Sequence, residues 1–260
     1  MAIIHCSFLS KYLAYDTQVT VVLPEDRDTF VEEKKELYPV LYLLHGRGDD
    51  CNAWTRNTRI ELYATEHQIA VVMPSGEDSF YVDSMHGKRY FSYMTKELPI
   101  IMKNWFPIST KKEDTFIAGL SMGGYGALKL GLTEPDKYAG IAVFSAATNP
   151  EKLYGFFPEE PDKSIMNQNL NRIFGGQPFP AEYIPRELLK RRKANGDIIP
   201  PIIQFEGTKD PLYEMNQEFL KDAMELGAQV HYEEWEGGHD WYFWDEAIRK
   251  ALFLLPIREG

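Results

Sequence analysis

The chain has 260 residues, which suits one large α/β domain with a well-buried core. Its net charge of −11 disfavours nucleic acid and anionic membrane surfaces as partners, because both require a basic face. A hydrophobic content of 44%, with 13% aromatic residues, argues against a disordered chain.

The N-terminal residues and the cysteines bear on the compartment. Residues 1–11 contain no basic segment followed by an apolar one, and no apolar run approaches transmembrane length, so we expect a cytoplasmic protein. Cys6 and Cys51 lie far apart without a C-x-x-C pair. They are weak evidence for a disulfide and no evidence for a zinc site.

Strand-like and helix-like segments alternate along the chain. Residues 3–9 and 18–23 predict the two strands of an antiparallel hairpin, and residues 25–37 predict a charged surface loop. Apolar runs predict further strands over residues 40–44, 69–73, 115–118, 140–145, 201–205 and 229–235. Helical patterns cover residues 57–66, 96–105 (with Pro99 in the first turn), 125–132, 214–226 and 244–255. This alternation predicts an α/β fold with a mostly parallel, doubly wound sheet and the hairpin at one edge.

Residues 149–197 interrupt the alternation. They show no strand pattern, contain several prolines and are rich in aromatic side chains. A connection of this length is too long for a simple loop, and it falls on the side of the sheet where active-site loops lie. We therefore predict a cap or lid inserted into a single domain that spans residues 1–260. The alternative is a surface excursion that packs against the body without touching substrate.

The segment with the most chemical information is Gly-Leu-Ser-Met-Gly at residues 119–123. It lies between a predicted strand and a predicted helix, where G-x-S-x-G forms a nucleophile elbow. The turn is so sharp that glycine is needed on both sides of the serine, which is pushed out above the sheet edge. Ser121 is therefore the predicted nucleophile of a hydrolase or acyl transferase. The alternative is a glycine-rich turn with an incidental serine.

A nucleophilic serine needs a histidine to take its proton and a carboxylate to orient that histidine. Asp210 follows the strand predicted at residues 201–205, and His239 follows the strand predicted at residues 229–235. This is the chain order Ser, Asp, His that an α/β-hydrolase uses. Glu206 competes less well with Asp210 because it is still within or just leaving its strand. Asp240 is too close to His239 in sequence to orient its ring.

The reaction also needs two backbone N–H donors for the oxyanion. One is expected from Met122, directly after the nucleophile, and the other from Arg47 in the loop His-Gly-Arg-Gly that follows the strand of residues 40–44. The alternative is that the glycines of this loop only close a tight turn. Neither a zinc-binding H-E-x-x-H nor a phosphate-binding G-x-x-x-x-G-K-[ST] motif is present, so no metal or nucleotide cofactor is implied.

Four segments together resemble the esterase D family of α/β-hydrolases. They are LLHG at residues 43–46, GLSMGGYGA at 119–127, G-x-x-D at 207–210 and GHDW at 238–241. The resemblance spans nearly the whole chain and implies an α/β-hydrolase fold with Ser121, Asp210 and His239 as the triad. The second oxyanion donor of the family matches Arg47, although an apolar residue is more usual there.

Within that family, the chain is most similar to the tributyrin-esterase branch. The resemblance implies a serine carboxylesterase acting on small-molecule, short-chain acyl esters, and members of the family are often homo-oligomers. Alternative activities are those of an S-formylglutathione hydrolase, which is a thioesterase, and of a feruloyl or acetyl-xylan esterase. A hydrolase fold without activity that serves as a binding module is a further alternative, which the complete triad disfavours.

Overall fold

A computed structural model describes residues 1–24, 37–154 and 163–258. In chain order the strands are β1 (Ala2–Leu9), β2 (Asp16–Leu23), β3 (Val40–Leu44), β4 (Ala70–Pro74), β5 (Thr115–Leu120), β6 (Gly140–Phe144), β7 (Ile202–Gly207) and β8 (Val230–Trp235). The α-helices are α1 (Ala53–Asn57), α2 (Ile60–Glu66), α3 (Tyr90–Ser92), α4 (Leu98–Trp105), α5 (Met122–Thr133), α6 (Lys163–Phe174), α7 (Pro185–Asn195), α8 (Tyr213–Glu225) and α9 (Trp241–Leu254).

The strands form one sheet in the order β1-β2-β4-β3-β5-β6-β7-β8. Strands β1 and β2 form the antiparallel hairpin at one edge, and β2 pairs antiparallel with β4. All the remaining pairs are parallel. The predicted mostly parallel α/β sheet with an edge hairpin is thus confirmed.

The burial of each strand agrees with its position in the sheet. Every residue of β3, β4, β5, β6 and β7 is buried, because helices cover both faces of the central sheet. The edge strand β1 alternates between half-buried and exposed positions. One hydrophobic core includes Tyr125 of α5 and Phe219 of α8, and the core on the other face includes Tyr63 of α2 and Ile248 of α9.

The helices predicted at residues 57–66 and 244–255 have different bounds in the structure. The helix predicted at residues 57–66 is divided into α1 and α2, because Thr58 is extended, with φ of −136° and ψ of 173°. Arg59 is then held by Asp245 of α9 through its backbone N–H at 2.9 Å and its guanidinium. The helix predicted at residues 244–255 begins earlier, at Trp241, because the Asp240 side chain accepts the N–H groups of the first turn.

The helix predicted at residues 96–105 is the C-terminal part of a longer helical run. That run begins with α3 and passes through a π-helical turn at Tyr93–Glu97 before α4. Pro99 lies in the first turn of α4, as predicted. The predicted surface loop at residues 25–37 lies outside the described residues except for Leu37.

The segment of residues 149–197 contains α6, α7 and two 3-10 turns, Pro150–Leu153 and Ala181–Tyr183, and its described part contains no strand. It packs directly on α5. The Tyr125 hydroxyl donates to the Tyr183 carbonyl at 2.8 Å, and Lys129 Nζ donates to the Glu182 carbonyl at 2.7 Å. Burial lowers the pKa of Lys129 to about 8. The two hydrogen bonds anchor the segment to α5, the helix that follows Ser121.

Two smaller observations concern the expectations on compartment. Across the three described ranges, no helix has both the length and the apolar character that spanning a bilayer demands. Cys6 and Cys51 are both free thiols, so they form no disulfide with each other.

Candidate active site

Ser121 occupies the sharp turn between β5 and α5. Its backbone has φ of 52° and ψ of −117°, a conformation that costs energy for a residue with a side chain. A Cβ on Gly119 would lie 2.4 Å from the Gly123 carbonyl carbon, and a Cβ on Gly123 would lie 2.5 Å from the Leu44 oxygen. Only glycine fits at these two positions, which explains the spacing of the G-x-S-x-G motif.

The structure brings Ser121, His239 and Asp210 into one chain of hydrogen bonds. Nδ1 of His239 lies 2.9 Å from Oδ2 of Asp210, and Nε2 lies 3.0 Å from Oγ of Ser121. Because an ionised carboxylate only accepts hydrogen bonds, Nδ1–H donates to Asp210 and Nε2 accepts from the serine hydroxyl. These three residues come from loops that follow β5, β7 and β8.

The carboxylate end of this chain is buried and the imidazole is partly open. The Asp210 side chain is 0% exposed, whereas the His239 side chain is 27% exposed. The second oxygen of Asp210, Oδ1, accepts from the Leu212 N–H at 2.7 Å. The Lys209 N–H donates to the Gly237 carbonyl at 2.9 Å, which joins the loop of Asp210 to the loop of His239. Each oxygen of the Asp210 carboxylate therefore accepts a hydrogen bond that fixes its orientation.

The two predicted oxyanion donors belong to segments that adjoin the serine. Met122 is the first residue of α5, so its N–H belongs to the N-terminal end of a helix. Arg47 lies in the loop after β3, which runs beside the elbow. A Cβ on Gly46 in that loop would lie 3.5 Å from Cβ of Ser121. The backbone next to Arg47 is thus close enough to the serine to contribute to the same site.

His45 holds the loop of Arg47 through both of its ring nitrogens. Its Nδ1–H donates to the Gly46 carbonyl at 2.7 Å, and its Nε2 accepts from the Gly76 N–H at 2.8 Å. The hydroxyl of Tyr81 donates to the His45 carbonyl at 3.0 Å. Burial lowers the pKa of His45, in agreement with a neutral ring that must accept at Nε2. This role of His45 is not among the predictions from the sequence, although its place directly before the loop glycine is a usable signal.

The loop that supports His45 is strained. Glu77, Phe80 and Tyr81 all have positive φ, at 45°, 51° and 55°. Such values for bulky residues persist only where the surroundings over-determine them, and they are concentrated at functional sites. Oδ1 of Asp78 in this loop accepts from the Gly48 N–H at 3.0 Å. The loops that follow β3 and β4 are therefore fastened together next to Ser121.

Other acidic and basic residues in or next to β7 and β8 have other partners or other environments. Asp240 caps α9, and His231 contacts Glu233 on the surface. Glu206 lies in β7 and is fully buried. Burial, with a further contribution from Asp210, raises the pKa of Glu206 to about 10, so it is a neutral acid at pH 7.

Among residues 1–24, 37–154 and 163–258, no group of three or more His, Cys, Asp or Glu side chains could hold a metal ion. The polar groups described around Ser121 are the His239 imidazole, the buried Asp210 carboxylate and backbone amides. That set is suited to acyl transfer through a serine, with proton transfer by a histidine.

Comparisons with known proteins identify the family of the chain. Residues 10–255 match the Esterase family. An acetyl esterase of Caldicellulosiruptor saccharolyticus is 35% identical over 259 residues, which cover 97% of each chain.

Two solved structures from Staphylococcus aureus are also similar to this chain. FphF, a fluorophosphonate-binding serine hydrolase, has a TM-score of 0.90 with 33% identity over 98% of each chain. The S-formylglutathione hydrolase FrmB has a TM-score of 0.85, also with 33% identity over 98% of each chain. The resemblance to esterase D and the α/β-hydrolase fold are both confirmed. The chain therefore belongs to the Esterase family and is a carboxylic ester hydrolase of the serine hydrolase type.

Proposed function

We propose that this protein is a serine carboxylesterase for short-chain acyl esters, with Ser121, His239 and Asp210 as its catalytic triad. The observation that carries the proposal is the unbroken hydrogen-bond chain from Oγ of Ser121 through both ring nitrogens of His239 to the buried carboxylate of Asp210. A nucleophile, a base and an orienting group in this geometry are sufficient for acyl transfer.

In the proposed mechanism, Oγ of Ser121 attacks the ester carbonyl while Nε2 of His239 takes the serine proton. Asp210 holds the imidazole in the required tautomer and stabilises the imidazolium. The tetrahedral intermediate collapses when His239 returns the proton to the leaving alcohol, and an acyl-serine remains. Water, deprotonated by His239, then attacks the acyl group, and the acid leaves as Ser121 is regenerated.

The N–H groups of Met122 and Arg47 are the proposed donors to the oxyanion. Gly46 C=O and Arg47 N–H belong to one peptide group, and in a planar trans peptide they point in opposite directions. The Gly46 oxygen accepts from His45 at 2.7 Å and from the Asp49 N–H at 3.3 Å. These two bonds fix the plane of the peptide and therefore the direction of the Arg47 N–H.

The short acyl preference rests on similarity to an acetyl esterase, and a thioesterase is the second candidate. The similarity to S-formylglutathione hydrolase FrmB favours that second activity. Both reactions would use the same triad, because a thioester carbonyl is attacked in the same way as an ester carbonyl. The segment of residues 149–197, packed on α5 through Tyr183 and Glu182, is proposed to form the cap that limits the acyl and leaving groups.

A substrate panel on two serine variants tests the proposal. Ser121→Ala should lose hydrolysis of p-nitrophenyl acetate and butyrate, whereas Ser7→Ala, on the exposed edge strand β1, should match the unchanged enzyme. S-formylglutathione and methyl ferulate separate the alternatives, since higher kcat/KM on either than on acetate esters would reassign the substrate. A folded Ser121→Ala protein with near-normal esterase activity would overturn the mechanism itself.

A further inference from the structure

A third contact acts on the His239 ring besides its two hydrogen bonds. The indole of Trp244 lies against the imidazole with ring centroids 4.9 Å apart and ring planes at 87°. Trp244 is buried, in the first turn of α9. Perpendicular aromatic pairs at this separation attract each other beyond the effect of buried area alone. The imidazole is therefore packed as well as hydrogen-bonded.

Packing supplies a restraint that the hydrogen bonds do not. A hydrogen bond weakens steeply only when its angle falls below about 120°, so bonds at Nδ1 and Nε2 leave the His239 ring room to tilt. Close-packed rings have no such freedom, because a tilt brings atoms into overlap. The contact with Trp244 thus limits the orientation in which Nε2 meets the serine and the leaving group.

Trp244 is itself held in place. Its Nε1–H donates to Oγ of Ser145 at 3.2 Å. Ser145 follows β6 directly, is fully buried and has a strained φ of 47°. Its own N–H donates to the Phe205 carbonyl at 3.1 Å. The bond to Phe205 holds the strained backbone of Ser145, so the Ser145 hydroxyl is presented to Trp244 in one position.

Aromatic contacts continue from Trp244 to the strand that precedes Arg47. Trp241 meets Trp244 with centroids 5.2 Å apart and planes at 89°, and Trp54 meets Trp241 at 5.3 Å and 86°. Nε1–H of Trp54 donates to the Leu44 carbonyl at the end of β3, at 3.2 Å. Three perpendicular indoles therefore connect the base to the oxyanion side of the site.

We propose that Trp244, locked by Ser145, is a positioning residue that sets the tilt of the His239 ring for proton transfer. This inference rests on the proposed function, since it assigns a role to His239 as the base. A misplacement of about 1 Å at a reacting group can cost about 100-fold in rate, so a partial loss of orientation is measurable. The effect should appear in kcat and not in substrate binding.

Three variants separate this role from general packing. Trp244→Phe removes the N–H and part of the ring, and Ser145→Ala removes only the acceptor. Trp235→Phe is the matched control, because Trp235 packs on Phe205 and Phe243 of the same core. We expect kcat to fall about 10-fold in Trp244→Phe and less in Ser145→Ala, with KM changed by less than about two-fold. The control should stay within about two-fold of the unchanged enzyme.

Two further readouts belong to positioning and not to stability. The double variant should be no slower than Trp244→Phe alone, because the Ser145 hydroxyl has no role once the indole N–H is gone. The loss should also be larger on ethyl acetate than on p-nitrophenyl acetate. Ethoxide needs a proton from His239 in order to leave, whereas p-nitrophenolate does not.

The outcomes distinguish this inference from the proposed function. Equal kcat in Trp244→Phe and Trp235→Phe, or fully multiplicative losses in the double variant, would overturn the role of Trp244 while Ser121→Ala remains inactive. An active Ser121→Ala would instead overturn the triad, and with it the inference. If Trp244→Phe does not fold, Ser145→Ala decides the matter, since it keeps the indole; a kcat equal to that of the control would then contradict the proposal.

Discussion

The two sides of the site use a histidine in opposite ways. On the oxyanion side, His45 is 1% exposed and both ring nitrogens bond to backbone groups. On the relay side, which comprises Ser121, His239 and Asp210, the His239 ring is partly exposed. Both of its nitrogens bond to side chains that can exchange or stabilise a proton. Burial and backbone partners suit the His45 imidazole to a fixed support, whereas exposure and a carboxylate partner suit the His239 imidazole to its proposed role as the base. The environment, not the residue type, assigns the role.

The largest effect on kcat is expected from replacing Asp210, the buried residue of the relay side. Asp210→Asn should lower kcat by about 10⁴-fold, because an amide favours the wrong tautomer of the histidine and cannot stabilise its charge. Asp240→Asn is the matched control, since asparagine caps a helix as well as aspartate does. Steady-state hydrolysis of p-nitrophenyl acetate measures both. A decrease of less than about 10-fold in Asp210→Asn would indicate that another group orients His239.

A smaller effect on kcat is expected from replacing His45, which holds the loop of Arg47 on the oxyanion side. His45→Asn should lower kcat by about 100-fold, which is the usual loss for one oxyanion donor, because the Arg47 N–H would no longer be held in direction. His231→Asn makes the same change at an exposed position on β8 and should be neutral. Tyr81→Phe, which removes a single hydroxyl bonded to the His45 carbonyl, should give an intermediate loss.

These variants also provide a direct check on the comparison. If His45 supports the backbone and does not transfer protons, His45→Asn should weaken the binding of a boronic acid transition-state analogue as much as it lowers kcat/KM. An unchanged affinity for the analogue, alongside a large loss of kcat, would show that His45 acts on the proton and not on the oxyanion.

The smallest effect on activity is expected at Glu206, where stability should change instead. Its pKa of about 10 in the folded chain is above the ordinary value of 4.5, so the native state keeps a proton that the unfolded state releases. The contribution of Glu206 to the free energy of unfolding is therefore fully present below pH 4.5. It is lost as the pH rises towards 10, by up to about 1.4 kcal/mol per pH unit.

Glu206→Gln should remove this loss. We expect a higher free energy of unfolding than for the unchanged protein at pH 8, equal stability near pH 4.5, and kcat within about two-fold. Urea unfolding at the two pH values measures the difference. Glu236→Gln, at an exposed ion pair with Lys209, is the control and should leave the pH dependence unchanged. Lower stability of Glu206→Gln at pH 8 would contradict a neutral, buried Glu206.

Much of the fold and the proximity of Ser121, Asp210 and His239 could be predicted because they depend on local pattern. Apolar runs mark buried strands, and the three residues follow strand ends that parallel pairing brings to one edge. The break at Thr58 and the early start of α9 depend on contacts with Asp245 and on a capping side chain. Helix periodicity does not report such contacts.

The contacts that hold His239 and His45 in place could not be predicted from the sequence, for a similar reason. Trp244 meets His239 five residues away, but its anchor Ser145 is 99 residues earlier in the chain. The Gly76 N–H donates to the His45 ring across 31 residues, and the Tyr81 hydroxyl donates to the His45 backbone carbonyl across 36. These supporting contacts are created by side-chain packing, which neither strand-end positions nor motif spacing specify.

The central claim, that Ser121 is the nucleophile of the relay side, is tested most directly by locating a covalent adduct. The folded protein is treated with a fluorophosphonate, digested and mapped by mass spectrometry. We predict one adduct, on the peptide that contains Ser121, with labelling slowed strongly in Asp210→Asn and unchanged in Asp240→Asn. Absence of an adduct, or an adduct on another residue of an active preparation, would contradict the account.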